Sequence, residues 1–322
     1  MKAVQILGDV SSPKVVTNYS MKLPLLQNDG ILVQVHAAGI TGDEIMWPEP
    51  YSVETRIPGH DISGTVYATG PEYHGPLKVG QGVFALLKAD RGQGQADYVA
   101  CLPDEVAPKP SSLSHDEAAA LPIPLLTAWE ALLDHAQVKS SMRVLITGAS
   151  GAVGMLATQI ASRRLGAHVI ALASTKQHET QRQLGAYEVF DYNTPDWERQ
   201  IKNVDVVFDT VGGDILAKTW ETIKDDGTIV TVGDPAPVWA FGGGQAPESA
   251  DHPNVRYAHF IVSPNAERMQ ESSKMIDDGS LKPLVVRSFP FHDAVKAWEF
   301  SRQRNRGQKA VINFAEREGP LA

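Results

Sequence analysis

The chain has 322 residues, a formal net charge of −9 and a single cysteine, Cys101. The acidic balance argues against nucleic acid or an anionic membrane as the main partner. One cysteine excludes an internal disulfide framework and any cysteine-rich metal site. With 43% apolar and 21% charged residues, the composition is that of an ordinary soluble globular protein, and the length favours two domains. The opening MKAVQILGDV reads as a first strand, not a secretory leader. No apolar run approaches the roughly 20 residues of a membrane-spanning helix. A soluble, cytoplasmic protein is expected.

To about Leu121 the sequence reads as short strands punctuated by glycine and proline. Residues 31–37 (ILVQVHA) alternate as a strand does, and 62–67 and 82–87 look similar. Gly39, Gly42, Gly59, Gly64, Gly70, Gly80 and Gly82 mark turns and bends. Pro103, Pro108 and Pro110 end this β-rich half, and Ser114 ahead of His115-Asp116-Glu117 gives a helix an N-cap and early acids. From about Ile123 the rhythm changes. Helical spacing over 125–135 leads into a short apolar strand at 143–147, a glycine-rich turn, an apolar helix over 153–165 and a strand at 168–173. Further strands at 188–190, 205–208 and 228–232 alternate with helical stretches, the pattern of a parallel sheet covered by helices on both faces. Residues 234–253 carry four prolines and the run Gly242-Gly243-Gly244. They read as a long mobile loop, either lying over a cleft or disordered. Beyond it, helices at 264–279 and 293–302 alternate with strands at 284–289 and 309–314. This tail lacks another α/β unit, so it is expected to rejoin the N-terminal half.

The strongest chemistry lies in Val144-Leu-Ile-Thr-Gly-Ala-Ser-Gly-Ala-Val-Gly154. Read as a dinucleotide fingerprint, it has Ala149 where the first glycine usually stands, then Gly151 and Gly154. The physics asks for a tight turn after the strand, unhindered backbone against a pyrophosphate, and close helix–sheet packing. Ser150, Gly151, Ala152, Val153 and Gly154 would meet the phosphates, where the helix beginning near Ala152 offers free N–H groups and its positive dipole end. An NAD enzyme places an acid about 20 residues further on, for the ribose diol. Here the second strand ends in Ser174-Thr175-Lys176, two hydroxyls and a cation, with no acid until Glu179. That set suits a 2′-phosphate, so NADPH is the expected cofactor.

The order of short segments resembles the medium-chain dehydrogenase/reductase superfamily, and within it the zinc-independent quinone oxidoreductase (zeta-crystallin-like) and enoyl reductase branch. The residues that carry this resemblance are Ala37-Ala-Gly-Ile40, Pro58-Gly-His-Asp-Ile-Ser-Gly-Thr-Val66, Gly80-x-Gly-Val-Phe84, Leu125-Leu-Thr-Ala-Trp129, Thr147 to Gly154, Leu184-Gly-Ala186, Phe208-Asp-Thr-Val-Gly-Gly213 and Gly279-x-Leu-Lys-Pro283. The resemblance implies an α/β fold: a Rossmann doubly wound parallel sheet over 123–262 that binds NADP, and a mainly β, chaperonin-10-like (GroES-like) catalytic domain made of 1–122 and 263–322.

Zinc-dependent members of that superfamily place cysteine ligands where this chain has Thr41 and the stretch Ile123 to Thr127, and a histidine where it has His60. No thiolate is available at these positions, so no metal is expected, and His60 is read as a structural histidine satisfied by neighbouring backbone. Without a Lewis acid, an acceptor that absorbs the electron pair itself is favoured. The resemblance therefore implies NADPH-dependent hydride transfer to a quinone or to the activated C=C of an enone or enoyl compound. An alcohol or carbonyl reductase, or a cofactor-binding protein with little turnover, are the other readings. By resemblance, Tyr51 would donate a hydrogen bond or proton, and Thr41 and Thr127 would lie near the nicotinamide. Tyr192 would reach the 2′-phosphate, Val211 would line the adenine pocket, and the backbone from Phe260 to Val262 would hold the carboxamide. Asp43 and Glu44 read as helix caps. A homodimer is implied, paired through an edge strand near 228–232.

Overall fold

In a computed structural model, which describes residues 1–303 and 307–315, the chain divides into two compact units, Thr127–Val262 and Met1–Leu126 with Ser263–Ala322. The strands are β1 Ala3–Leu7, β2 Lys14–Asn18, β3 Ile31–Gly39, β4 Asp61–Thr69, β5 Gly82–Leu86, β6 Tyr98–Cys101, β7 Val106–Pro108, β8 Arg143–Ile146, β9 His168–Leu172, β10 Glu188–Phe190, β11 Val204–Asp209, β12 Ile223–Thr231, β13 Arg256–His259, β14 Val286–Pro290 and β15 Lys309–Asn313.

The first unit is built on a seven-stranded sheet of order β14-β15-β3-β4-β5-β7, with β6 also paired to β3, and a separate β1-β2 ladder. The tail returns as expected: β15 runs antiparallel to β3, pairing Val311 with Gly39 and Asn313 with Ala37. Helix Ala294–Ser301 buries Trp298, whose indole Nε1 donates to Gln95 Oε1 at 3.0 Å. The buried face of β3 and its neighbours (Ile31, Val33, Val35, Ile62, Val83, Val99) shares one apolar core with Trp298 and Phe300. Ser114 does cap helix His115–Ala119. Its Oγ accepts from Glu117 N at 3.3 Å while the Glu117 carboxylate accepts from Ser114 N at 2.9 Å, a reciprocal capping box. Cys101 is buried on β6, and burial pushes its thiol pKa up.

The second unit is a six-stranded, all-parallel sheet of order β10-β9-β8-β11-β12-β13. Strands β8 and β9 (RVLI, HVIAL) are apolar along their length because both faces of such a sheet are covered. Strand order reverses between β8 and β11, so the carboxyl ends of those two strands flank the switch point where open α/β sheets take their ligands.

One expectation needs correction. Residues 234–253 are not a bare loop. They form short helical turns at Ala240–Gly242 and Pro247–Ala250, and Trp239 and Ala246 join the core of the parallel sheet, with the Trp239 and Tyr257 rings 5.0 Å apart. The prolines and glycines punctuate turns here without preventing apolar anchors between them from burying. The strand expected near the edge, 228–232, falls in and just after β12, which is flanked by β11 and the edge strand β13. Strand β13 was hidden by its half-polar sequence, RYAH.

In the first unit, His36 of β3 and His115 stack with ring centroids 4.5 Å apart, and Ser63 Oγ lies 2.8 Å from His115 Nδ1. Burial, then the neighbouring charges of His36 and Lys109, lower the His115 pKa from the ordinary 6.5 to about 4; burial lowers that of His36 too. A histidine with a depressed folded-state pKa binds its proton more readily when unfolded. Its stabilising contribution is complete above about pH 6.5 and is lost as pH falls towards 4. Thermal melts of the wild type should therefore fall in midpoint over that window, and His115→Gln should flatten the fall. An equal fall in the variant would place the acid sensitivity elsewhere.

Candidate active site

In the parallel sheet, Thr147 follows β8, Gly148 takes φ +57°, and the helix Ala152–Gln159 begins after Gly151. The turn is closed by Gly151 N donating to Gly148 O at 2.8 Å. Each glycine has a distinct physical reason. A Cβ on Gly148 would sit 2.4 Å from Thr210 Oγ1 and 2.9 Å from Val211 Cγ2. On Gly154 it would sit 2.4 Å from Gly148 O and 2.6 Å from Ala149 Cα. On Gly151 it would meet only Gly148 O, at 3.2 Å. Gly148 and Gly154 are therefore packing glycines. Gly151 is exposed at the helix N-terminus, with Ser150, Ala152 and Val153 partly exposed around it. The backbone donors of that turn thus fit a phosphate group, which their partial positive charge would favour.

The turn is fixed from beneath by residues that sequence reasoning left unassigned. Asp209, at the end of β11, is fully buried. Its Oδ1 accepts from Thr147 Oγ1 at 2.5 Å and Val211 N at 3.2 Å, and its Oδ2 from Thr231 Oγ1 at 2.6 Å and Gly212 N at 3.0 Å. One carboxylate thereby joins the carboxyl ends of β8, β11 and β12. Gln181, buried on helix His178–Leu184, donates to Ala149 O at 2.9 Å and steadies the other side of the turn. The signal for Asp209 was an acid closing a strand, VDVVFD, directly after the apolar run Val206-Val207-Phe208; Gln181 gave none.

Most of the expected cofactor residues fall at the carboxyl ends of these strands. Ser174, Thr175 and Lys176 follow β9, with Thr175 and Lys176 exposed; Tyr192 follows β10 and is exposed; Val211 follows β11 and is 41% exposed. Phe260 and Val262 follow β13, and the Phe260 ring stacks on His135 at 4.4 Å. Thr127 is buried within helix Pro122–Trp129. An acid does stand beside the second strand's end. Asp191 accepts from Thr175 N at 2.9 Å and from the Thr175 hydroxyl, and these bonds hold its carboxyl pKa at about 2. Asn193 also donates to Asp191 through its N and Nδ2, and Lys176, Ser174 and Tyr192 are further polar groups that follow β9 and β10. The reading of the linear sequence stopped at Glu179 because Asp191 reaches Thr175 from the neighbouring strand.

In the first unit, Thr41 follows β3 and Tyr51 lies in the short helix Glu49–Ser52. The Tyr51 hydroxyl donates to Ile45 O at 2.6 Å, and burial raises its pKa. Its one hydrogen is already taken in this conformation. Asp43 accepts from Trp47 Nε1 at 3.1 Å, and Glu44 is buried; neither side chain caps a helix, correcting that expectation. Glu44 Oε1 accepts from Gly59 N at 2.5 Å and stands 2.8 Å from His60 Nδ1, while His60 Nε2 stands 3.1 Å from Ala89 O. His60 is structural, but a carboxylate, not backbone alone, satisfies it. Burial opposes its charge most strongly, but Glu44, Ala89 O and Asp61 together outweigh it and raise its pKa. Both ring nitrogens are engaged. Beside this pair, Asp61 Oδ1 accepts from Ile123 N at 2.6 Å and its Oδ2 lies 3.0 Å from Lys309 Nζ. Burial pushes the Asp61 carboxyl pKa up, against the pull of Lys309. Lys309 Nζ also donates to Thr41 Oγ1 at 3.3 Å. Among the described residues no group of three or more His, Cys, Asp or Glu is placed to hold a metal ion.

A parallel sheet with a phosphate-fitting glycine turn at its switch point is the architecture of a nucleotide-binding α/β domain. Known proteins agree. The family described as "Alcohol dehydrogenase GroES-like domain" matches residues 27–111, and that described as "Zinc-binding dehydrogenase" matches residues 184–312. The chain is 30% identical, over 87% of its length and 87% of the relative's, to a "Probable zinc-binding oxidoreductase, mitochondrial" of Arthroderma benhamiae. It is 30% identical, over 95% of its length and 76% of the relative's, to the "2-methylene-furan-3-one reductase" of Solanum lycopersicum. The solved quinone oxidoreductase from Coxiella burnetii is 27% identical, with a TM-score of 0.82 covering 98% of this chain and 100% of that one. The chain belongs to the medium-chain dehydrogenase/reductase superfamily, in its quinone and enoyl reductase branch, and its chemistry is that of an oxidoreductase.

Substitutions should separate packing from the exposed turn. Gly154→Ala should destabilise by about 1–3 kcal/mol through overpacking, while Gly151→Ala should leave the melting temperature nearly unchanged. Asp209→Ala should cost more, since each buried donor left unpaired costs roughly 1–3 kcal/mol. Chemical denaturation orders the three; equal stability of all would contradict the packing argument.

Proposed function

We propose that the protein is a metal-independent, NADPH-dependent reductase that delivers hydride to a quinone or to the activated C=C of an enone. The observation that carries this reading is the pairing of an exposed glycine turn at the sheet's switch point with Lys176, Ser174 and Tyr192 at the rim. Gly151, Ala152, Val153 and Gly154 would hold the pyrophosphate, and Lys176 the 2′-phosphate, a charge that an NAD-type diol would not answer. The bound nicotinamide would supply the hydride. The chain's own contribution is orientation, exclusion of water and a hydrogen-bond donor for the oxygen that gains charge.

Metal independence is supported by the side chains in the first unit. Thr41 offers no thiolate, and both His60 ring nitrogens already have partners. Without a Lewis acid, the acceptor must stabilise its own developing charge, which a conjugated carbonyl does and a simple ketone does not. The substrate in the tomato relative's name, a 2-methylene-furan-3-one, is a conjugated methylene ketone of that kind. A homodimer is also proposed. Its interface would lie at β13, paired only with β12 among the described residues.

The test is turnover by chelator-treated protein with NADPH or NADH and three acceptors: 1,4-benzoquinone, a simple enone and a simple ketone. NADPH-selective turnover of quinone or enone is expected. Activity only with ketone and added zinc contradicts the reading. Lys176→Ala should raise the KM for NADPH by about tenfold, the loss of one charge-assisted contact, and leave that for NADH unchanged. An equal effect on both cofactors would remove Lys176 from 2′-phosphate binding.

A further inference from the structure

Within the parallel sheet, the glycine turn after β8 is tied to the end of its neighbour β9. Ala149 N donates to Leu172 O at 3.2 Å, and Ser174-Thr175-Lys176 begins two residues beyond Leu172. A dinucleotide whose pyrophosphate meets such a turn carries its adenosine ribose over that second strand end. Asp191, directly after β10, reaches the same place. Its Oδ2 accepts from Thr175 N at 2.9 Å and from the Thr175 hydroxyl, and its Oδ1 accepts from Asn193 N at 2.8 Å and Asn193 Nδ2 at 2.9 Å. These bonds, the Thr175 hydroxyl's foremost, hold its pKa at about 2, so the group is ionised at neutral pH. Four donors also fill the lone pairs of one carboxylate. None is left for a ribose hydroxyl, and Asp191 is therefore not the acid of an NAD-type diol site. The two Thr175 donors that it takes are of the kind that bind phosphate. Asp191 is partly exposed, and Thr175 and Lys176 are exposed.

We propose that Asp191 is a specificity-determining residue that limits the chain's preference for NADPH over NADH. This rests on the reading of Lys176, Ser174 and Tyr192 as the rim that takes the 2′-phosphate. The carboxylate acts in two ways. It occupies Thr175 N and Oγ1, donors that a 2′-phosphate would otherwise gain. It also adds a fixed negative charge to a rim that must admit a group carrying nearly two of its own at neutral pH. The preference for NADPH is then the pull of Lys176 less the push of Asp191, since specificity is a difference between two affinities. NADH has a hydroxyl in place of that phosphate and meets neither effect. The chain is on this account an NADPH enzyme that keeps a measurable use of NADH, and Asp191 sets the ratio.

The experiment reads the adenosine half of the cofactor alone, by calorimetric titration of the full chain at neutral pH with adenosine 2′,5′-bisphosphate and with 5′-AMP. Asp191→Asn should tighten the bisphosphate by roughly tenfold, the scale of one like-charge contact at a water-facing site, and leave 5′-AMP unchanged. Asp191→Ser, which sets no amide N–H against the four donors, should do the same. A selective gain in affinity cannot come from damage to the fold. Because exposed charges are screened by salt, the gain should shrink at high ionic strength. The ratio of kcat/KM for NADPH to that for NADH should rise by the same factor. Two results would overturn the role of Asp191: bisphosphate bound no tighter by either variant than by wild type, or both nucleotides tightened equally. If Lys176→Ala then still weakens the bisphosphate and not 5′-AMP, the 2′-phosphate reading stands without it. Wild type that binds the two nucleotides equally, with Lys176→Ala altering neither, would overturn both.

Discussion

A buried carboxylate with donors converging on both of its oxygens governs the architecture of the parallel sheet. Asp209 gathers the ends of β8, β11 and β12, where a strand-order reversal would otherwise leave backbone and hydroxyl groups to be satisfied one at a time. With those ends fixed, Gly148 can turn in the left-handed region directly beneath Thr210 and Val211, and Gly154 can bring the following helix into contact with the turn. The exposed N-terminus of that helix is a consequence of this packing. Its capacity for a phosphate is therefore built from beneath, by groups that never need touch a ligand.

The first unit solves a different problem. Where zinc-dependent proteins of this superfamily would need metal ligands, this chain places two internally balanced pairs, Glu44 with His60 and Asp61 with Lys309. Each charge is buried, and each has a partner. In the second pair the Lys309 ammonium also donates to the Thr41 hydroxyl.

Much of the fold was legible because its signals are local. Strand β10 matched the expected 188–190, and the cap at Ser114 and the turn after β8 rest on residues within a few positions of one another. What failed was not local. Strand β13 reads as half-polar because it lies at a sheet edge, and Trp239 buries only because Tyr257 comes to it from another strand. The contact of Asp191 with Thr175 crosses between neighbouring strands, and that of Lys309 with Thr41 spans most of the chain. Periodicity carries no record of such meetings. A lysine opening a buried strand and an acid closing another were the faint clues, since charged residues are seldom placed there without a partner.

The central claim is direct hydride transfer from NADPH to a conjugated acceptor without a metal. It is tested most directly by following the label from NADPH deuterated at the transferring C4 position, using chelator-treated protein and an enone. The account predicts one deuterium at the β-carbon of the saturated product and none at the α-carbon. Product that carries no deuterium, or label transfer that requires added zinc, would contradict it.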